Sequence, residues 1–181
     1  MGILFSSLWS RLFGTSTKKL VIVGLDNAGK TTTLFQLHLG EVVETQPTIG
    51  SNVEEVTHKN VHFQCWDLGG QESLRSGWST YYTGANAVIL VVDSTDRKRI
   101  HLVKMELAKL LANELLKSAV LLVFANKQDE KNHMTTAEIA QELALDSVKS
   151  HSWHIQACSA IKGEGLFDGM DWVTQKLKGK G

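Results

Sequence analysis

Apolar positions along the chain follow two rhythms. Leu20–Val23, Ala87–Val92 and Ala119–Ala125 are apolar at every position and rich in β-branched residues, the pattern of strands covered on both faces. Helical spacing governs Thr32–Leu37, Ile100–Leu116, Thr136–Leu143 and Gly165–Leu177, the last through Leu166, Phe167, Met170, Trp172, Val173 and Leu177. Asn52–Thr57 and Val61–Trp66 read as two strands joined at Lys59-Asn60. In the second, Val61, Phe63 and Cys65 alternate with His62, Gln64 and Trp66, so one side is buried. Trp66 then stands opposite the core residues, either facing a partner or covered by another part of the chain. Gly40 is a helix stop, and residues 41–50, with the chain's only proline, form a loop with a possible edge strand. Trp153–Cys158 is the last strand. Strands alternating with helices predict an α/β fold, a mostly parallel sheet with helices on both faces. Ligands of such sheets bind at the carboxyl ends of strands.

Three polar clusters sit at such ends. After Leu20–Val23 comes Gly24-Leu25-Asp26-Asn27-Ala28-Gly29-Lys30-Thr31, the phosphate-loop pattern between a strand and a helix. Backbone N–H groups and the helix N-terminus converge there on one anionic spot. Gly24, Asp26, Asn27, Ala28, Gly29, Lys30, Thr31 and Thr32 are the candidate contacts. Lys30 reaches the outer phosphates and Thr31 ligates Mg²⁺. The Asp26 carboxylate is expected to point away from the cradle.

After Trp66 comes Asp67-Leu68-Gly69-Gly70-Gln71-Glu72. Asp67 suits Mg²⁺ binding through water, Gly70 lets the backbone approach a γ-phosphate, and Gln71 is placed to orient an attacking water. Thr48, on the preceding loop, can complete the metal shell when a γ-phosphate is present. Leu74, Trp78, Tyr81 and Tyr82 follow at helix-like spacing, as core or as a partner surface.

The third cluster, Asn126-Lys127-Gln128-Asp129, leaves the strand ending at Ala125. The Asp129 carboxylate can accept from the ring N–H and exocyclic amine of guanine, a pair adenine lacks. Lys127 can lie over the base and Asn126 can brace the loops. After the last strand, Ser159-Ala160 offers a backbone N–H for the base carbonyl.

The amino end, Met1-Gly2-Ile3-Leu4-Phe5-Ser6, fits N-myristoylation of Gly2 and lacks the basic region and cleavage site of a signal peptide. On a helix, Leu4, Phe5, Leu8, Trp9, Leu12 and Phe13 share one arc, with Ser6, Ser7, Ser10 and Arg11 opposite. Such a helix can pack on its own domain or lie in a membrane interface. One myristoyl chain alone binds membrane with K of roughly 10⁴ M⁻¹, so an apolar helix is the second signal a firm hold needs. Residues 1–17 are thus expected to form an acylated amphipathic helix and linker, and 18–181 the core domain.

With 181 residues, one domain is expected, and 19 basic against 19 acidic residues remove the electrostatic case for nucleic acid. The two cysteines, Cys65 and Cys158, fall in apolar runs and read as core thiols in a reducing cytoplasm. No apolar stretch is long enough to span a bilayer. His151 and His154 lack companion ligands for a metal. A small-molecule kinase on the same phosphate loop is the rival reading, opposed by Gln71 and the guanine cluster. A nucleotide-stabilised adaptor without hydrolysis is a third.

With these residues together, the chain resembles the Arf and Arf-like small GTPases over essentially its whole length. Gly50-Ser51-Asn52-Val53-Glu54-Glu55 and Gln71-Glu72-Ser73-Leu74-Arg75-Ser76 point within that family to the Arf-like protein five group. The resemblance implies a small G domain on a six-stranded sheet, preceded by the amphipathic helix. It implies GTP and GDP as ligands, Mg²⁺, and slow hydrolysis, on the order of 10⁻⁴ s⁻¹ unaided. It further implies an exchange factor, an activating protein, effectors, and cycling onto internal membranes such as the Golgi. In the GDP form the terminal helix rests in a groove. In the GTP form the strand pair between the switch loops slides along the sheet and ejects it. Arf proteins carry a phenylalanine where this chain has Ser51, in an effector patch with Trp66 and Tyr81, so a different partner choice is expected. Asn27 and Ser159 also depart from the commonest Arf residues.

Overall fold

The computed structural model describes residues 17–40, 46 and 48–179. The expected amphipathic helix, Gly2 and all but the last residue of the linker lie outside them, as does most of the loop before Thr48.

Six strands form one sheet in the order β2-β3-β1-β4-β5-β6. They are β1 (Lys18–Val23), β2 (Ser51–His58), β3 (Val61–Leu68), β4 (Ala87–Asp93), β5 (Val120–Asn126) and β6 (Trp153–Ala157). All neighbours are parallel except β2 and β3, an antiparallel hairpin. Its turn, Lys59-Asn60, is left-handed at both residues (φ 46° and 62°), which matches the twist of a two-residue hairpin. The helices are α1 (Lys30–Leu39), α2 (Glu72–Arg75), α3 (Ile100–Ala112), α4 (Thr136–Glu142) and α5 (Leu166–Lys178). A 3₁₀ turn, Glu114–Leu116, finishes the segment that periodicity extends as helix to Leu116.

The continuous apolar strands are buried because each face has a cover. One face, with Leu20, Ile22, Phe63, Cys65 and Leu122, lies under Leu34 and Leu37 of α1 and Met170 and Val173 of α5. The other, with Val21, Val23, Leu90 and Val123, lies under Val103 and Leu107 of α3 and Ile139 of α4. The α4 start carries a capping box, Thr135 with Glu138, that satisfies two otherwise unpaired N–H groups. Gly40 ends α1 in a left-handed turn, its N–H donating to the Gln36 carbonyl.

The row after Gln71 divides between the two readings. Trp78 and Tyr82 are core. Tyr81 is half-buried and meets Trp66 at 5.6 Å between ring centroids. Trp66 is therefore covered in part by its own chain, with Lys19 Nζ 4.9 Å from the ring on the same residue. Burial pushes the Cys65 thiol up to about 12, and Cys158 is raised for the same reason, so neither is a nucleophile. His151 reaches the Leu116 carbonyl and His154 stacks on Trp172, so the two histidines serve separate packing contacts.

Candidate functional site

The segments at and just beyond the carboxyl ends of β1, β3, β5 and β6 border a cavity of about 430 Å³, within the usual range for small-molecule sites. Asp26, Asn27, Gly29, Lys30, Thr31, Thr32, Thr48, Gly70, Gln71, Asn126, Lys127, Asp129 and Ala160 line it, all expected from sequence. Gln46, Glu130 and Ile161 also line it and were not expected. Gly24, Ala28, Asp67 and Ser159 are not among the lining residues; Ala28, Asp67 and Ser159 bond to residues that are, and Gly24 lies against the Val91 carbonyl.

The loop between β1 and α1 wraps the head of the helix. Gly29 caps α1 at φ 91°, and a Cβ there would lie 2.4 Å from Asn126 Nδ2. That close approach has a purpose, because Asn126 Nδ2 donates to the Ala28 carbonyl at 2.9 Å. Asn126 Oδ1 accepts from the Ala160 N–H at 2.9 Å, so one buried amide joins the phosphate loop to the loop after β6. Here the structure differs from the expectation for Ala160. It borders the cavity, but its N–H is directed to Asn126, whose buried carbonyl oxygen needs a donor.

Lys30 is almost wholly buried, with Nζ on the Leu25 carbonyl at 2.9 Å. Desolvation lowers its pKa, while Asp67 and Asp26 act against that. An anion beside Nζ would offset the cost of burying the charge.

At the start of α1 three oxygen-bearing side chains meet. The Thr31 and Thr48 hydroxyls are 2.9 Å apart, Thr31 donates to Asp67 Oδ2, and Thr48 donates to the same oxygen at 3.2 Å. Asp67 is fully buried at the end of β3, and burial raises its pKa despite these bonds. Its other oxygen, Oδ1, is buried without a hydrogen-bond partner. Two hydroxyls and an under-coordinated carboxylate are hard oxygen donors of the type Mg²⁺ takes, so the residues present fit that ion.

Gly70 packs between Lys30 and the phosphate loop. A Cβ would stand 2.4 Å from Lys30 Nζ and 2.5 Å from the Asp26 nitrogen, so no other residue fits without a shift. The Gly70 carbonyl accepts from the Asp26 N–H at 3.1 Å and from Arg75 Nε at 2.9 Å. Trp78 Nε1 holds the Gly69 carbonyl at 2.9 Å. Gln71, next in line, is exposed in extended conformation at the cavity edge.

The Asp26 side chain turns outward to Arg99 Nη1 at 3.0 Å, with Arg75 at 3.6 Å. Arg99 also binds Asp96, which, more than Asp26, holds its pKa up. Arg75 and Arg99 are functional neighbours that sequence reasoning missed. Their spacing from Asp26 carries no motif, and only the acidic residue in an anion cradle hinted at a cationic partner.

At the far end of the cavity Lys127 is left-handed (φ 67°), and its Nζ donates to Asp93 Oδ2 at 2.6 Å. Burial would raise the Asp93 pKa, but the bonds from Lys127 and Thr95 hold it below the usual carboxylate range. The Ser159 hydroxyl bonds the Asp129 carboxylate and depresses its pKa, so Asp129 is an anion at neutral pH.

The comparisons with known proteins agree with this arrangement. Residues 5–177 match the model of the ADP-ribosylation factor family. The chain is 60% identical to human ADP-ribosylation factor-like protein 5A over 98% of its own length and 99% of that protein. ADP-ribosylation factor-like protein 5 of Dictyostelium discoideum is 52% identical over 96% of this chain and 95% of its own. Among solved structures, the Arl6 BBS3 small GTPase of Trypanosoma brucei, with the nucleotide analogue GppNp bound, superposes with a TM-score of 0.85 at 33% identity. It covers 92% of this chain and the whole of that one. The chain belongs to the ADP-ribosylation factor family of small GTPases, switches that bind GTP and hydrolyse it.

Proposed function

We propose that Thr31, Thr48, Asp67 and Gly70 are the groups by which this GTPase distinguishes GTP from GDP, and that the distinction controls membrane attachment. The observation that carries the first part is the unpartnered Asp67 Oδ1 beside the Thr31 and Thr48 hydroxyls. Thr31, Thr48 and, through water, Asp67 would hold Mg²⁺, which when bound neutralises phosphoryl charge. Lys30 offers its ammonium to the outer phosphates. Gly70, pinned by Arg75 and Asp26, lends its backbone to the γ-phosphate, and Gln71 orients the water. Lys127 and Asp129 receive the guanine base, and Asn126 braces the loops around it.

Thr31→Asn should cut loading with GTP in the presence of Mg²⁺ by at least about tenfold relative to GDP, since the longer, planar side chain cannot place its oxygen where the Thr31 hydroxyl stands, 2.9 Å from that of Thr48. Equal loading of both nucleotides would remove Thr31 from the metal site.

The membrane half of the proposal rests on sequence, on Gly2 and the apolar arc of Leu4, Phe5, Leu8, Trp9, Leu12 and Phe13. Among the described residues no helix is long and apolar enough to cross a membrane, so attachment there would need an added anchor. GTP would expose the acylated segment on the cytosolic face of the Golgi or a related membrane, where the protein serves vesicle traffic. An exchange factor, an activating protein and effectors would act on it, effectors at the surface of Ser51, Trp66 and Tyr81. Myristoylated protein should pellet with liposomes when loaded with a GTP analogue and stay in solution with GDP, and Gly2→Ala should stay in solution with either. Pelleting of Gly2→Ala would refute the lipid anchor.

A further inference from the structure

The β2–β3 hairpin runs unbroken from Ser51 paired with Leu68 to His58 paired with Val61. Within the sheet, among the described residues, only β3 on β1 joins it to the other strands. One end of this bar is the nucleotide site. Asp67 is paired with Ile22 of β1, and Gly69 donates to the Gly50 carbonyl beside Thr48. Among the described residues, the other end is gripped by α5. Asp171 of α5 accepts from His58 Nε2 through one oxygen and from Lys59 Nζ through the other. The His58 ring stacks on Phe167 at 5.4 Å, and Lys178 Nζ donates to the Lys59 carbonyl at 3.3 Å.

Something must fix where the bar sits lengthwise, and the apolar pattern does not do it alone. Val61, Phe63, Cys65 and Asp67 alternate along one face of β3. A slip of one residue would turn this face outward and is forbidden by burial. A slip of two keeps every residue on its own side and moves the strand about 6.6 Å. That distance would carry Asp67 away from Thr31. The apolar alternation by itself therefore does not fix the register, and polar contacts do: His38 of α1 against the Glu55 carbonyl at 2.7 Å midway along β2, and the contacts at the two ends of the hairpin.

We propose that Asp171 is a remote positioning residue for the nucleotide site. By clamping His58 and Lys59 it holds the hairpin in the register that places Thr48 and Asp67 beside Thr31. The inference rests on the reading of those three residues as the triphosphate- and metal-sensing group. A surface ion pair that only adds stability would not discriminate between nucleotides. A clamp on the register favours the triphosphate, because GDP lacks the phosphate that Thr48 and Gly70 serve.

The test measures dissociation of a fluorescent non-hydrolysable GTP analogue and of fluorescent GDP, both with Mg²⁺, from the full-length chain and its variants. Asp171→Ala removes the acceptor. His58→Phe keeps a ring for Phe167 and removes the donor. Each should release the GTP analogue about fivefold faster, the scale expected when partly exposed ion pairs are lost, with GDP release within about twofold of the parent. The double variant should be no worse than the more severe single one, since both act through one contact. Lys176→Ala, on the same helix but directed to Trp172, should change neither rate. Thermal melting of each variant separates loss of register from loss of fold. Equal acceleration of both nucleotides, or of neither, would overturn the clamp while leaving the nucleotide site intact. Failure of the parent chain to retain guanine nucleotide at all would instead overturn the site reading, and the clamp with it.

Discussion

Asp129→Asn is expected to lower affinity for GTP and GDP by about 10³-fold and to create affinity for the xanthine counterparts. Asp129 is a carboxylate at the cavity mouth, its pKa held below the ordinary value by the Ser159 hydroxyl. It presents acceptors only, which suits the adjacent ring N–H and amine of guanine. Asparagine presents one acceptor and one donor, so an N–H would face the guanine amine. Two charge-assisted bonds are worth roughly 1.5–3 kcal/mol each; losing one, setting two donors against each other and taking the charge from the other together span about 10² to 10⁴ in affinity. Xanthine carries a carbonyl where guanine carries that amine, and the new amide N–H would find an acceptor. Displacement titrations with guanosine, xanthosine and adenosine triphosphates measure all three outcomes. Unchanged GTP affinity would remove Asp129 from base recognition. Because Asp129 lies across the cavity from Thr31 and Gln71, Mg²⁺ dependence and the hydrolysis rate of saturated protein should be kept.

Gln71→Leu should do the reverse, leaving GTP affinity near the parent value and slowing single-turnover hydrolysis by about 10²-fold, the scale of a positioned proton-transfer or water-orienting group. The residue stands immediately after Gly70, whose carbonyl is held by two donors, so its backbone is placed by contacts that leucine does not disturb. Only the amide that orders water is lost. An effect on rate without one on binding is the signature of an interaction made in the transition state. The variant should therefore collect in the GTP form and hold effectors longer. Phosphate release at the parent rate would take Gln71 out of the mechanism. Arg75 and Arg99 are each engaged with Asp26, and neither is directed at the cavity in this structure. Acceleration by a partner protein is the expected route to fast turnover.

Much of the site could be read in the chain because each of its chemical tasks is local. A phosphate cradle needs Gly24-Leu25-Asp26-Asn27-Ala28-Gly29-Lys30-Thr31 within one strand-to-helix turn, so its logic is written in consecutive residues. Asp67 to Gln71 and Asn126 to Asp129 are equally compact. The continuous strands and the α1, α3 and α5 helices were legible for a related reason, since burial on one face or two imposes a period. Most boundaries shifted by a residue or two, and α3 ends four residues early, at Ala112, where the cap and the 3₁₀ turn Glu114–Leu116 depend on neighbours.

Contacts between distant segments could not be read this way. Nothing near Asp26 announces Arg99, and nothing near His58 announces Asp171, since these pairs exist only once helices lie on the sheet. Trp66 illustrates the same limit, for alternation fixed which side it faces but not that Tyr81 and Lys19 would half cover it.

The sequence by itself determined the family and the fold class and named the candidate guanine, phosphate and metal-binding groups, because motif and period are properties of consecutive residues. Tertiary structure alone decided that Thr31, Thr48 and Asp67 meet, that the Asp26 carboxylate is neutralised from outside the cradle, and that the hairpin is held at both ends. A strand pattern with period two is indifferent to a slide of two residues, so the register had to be set by side chains that the fold brings in from elsewhere.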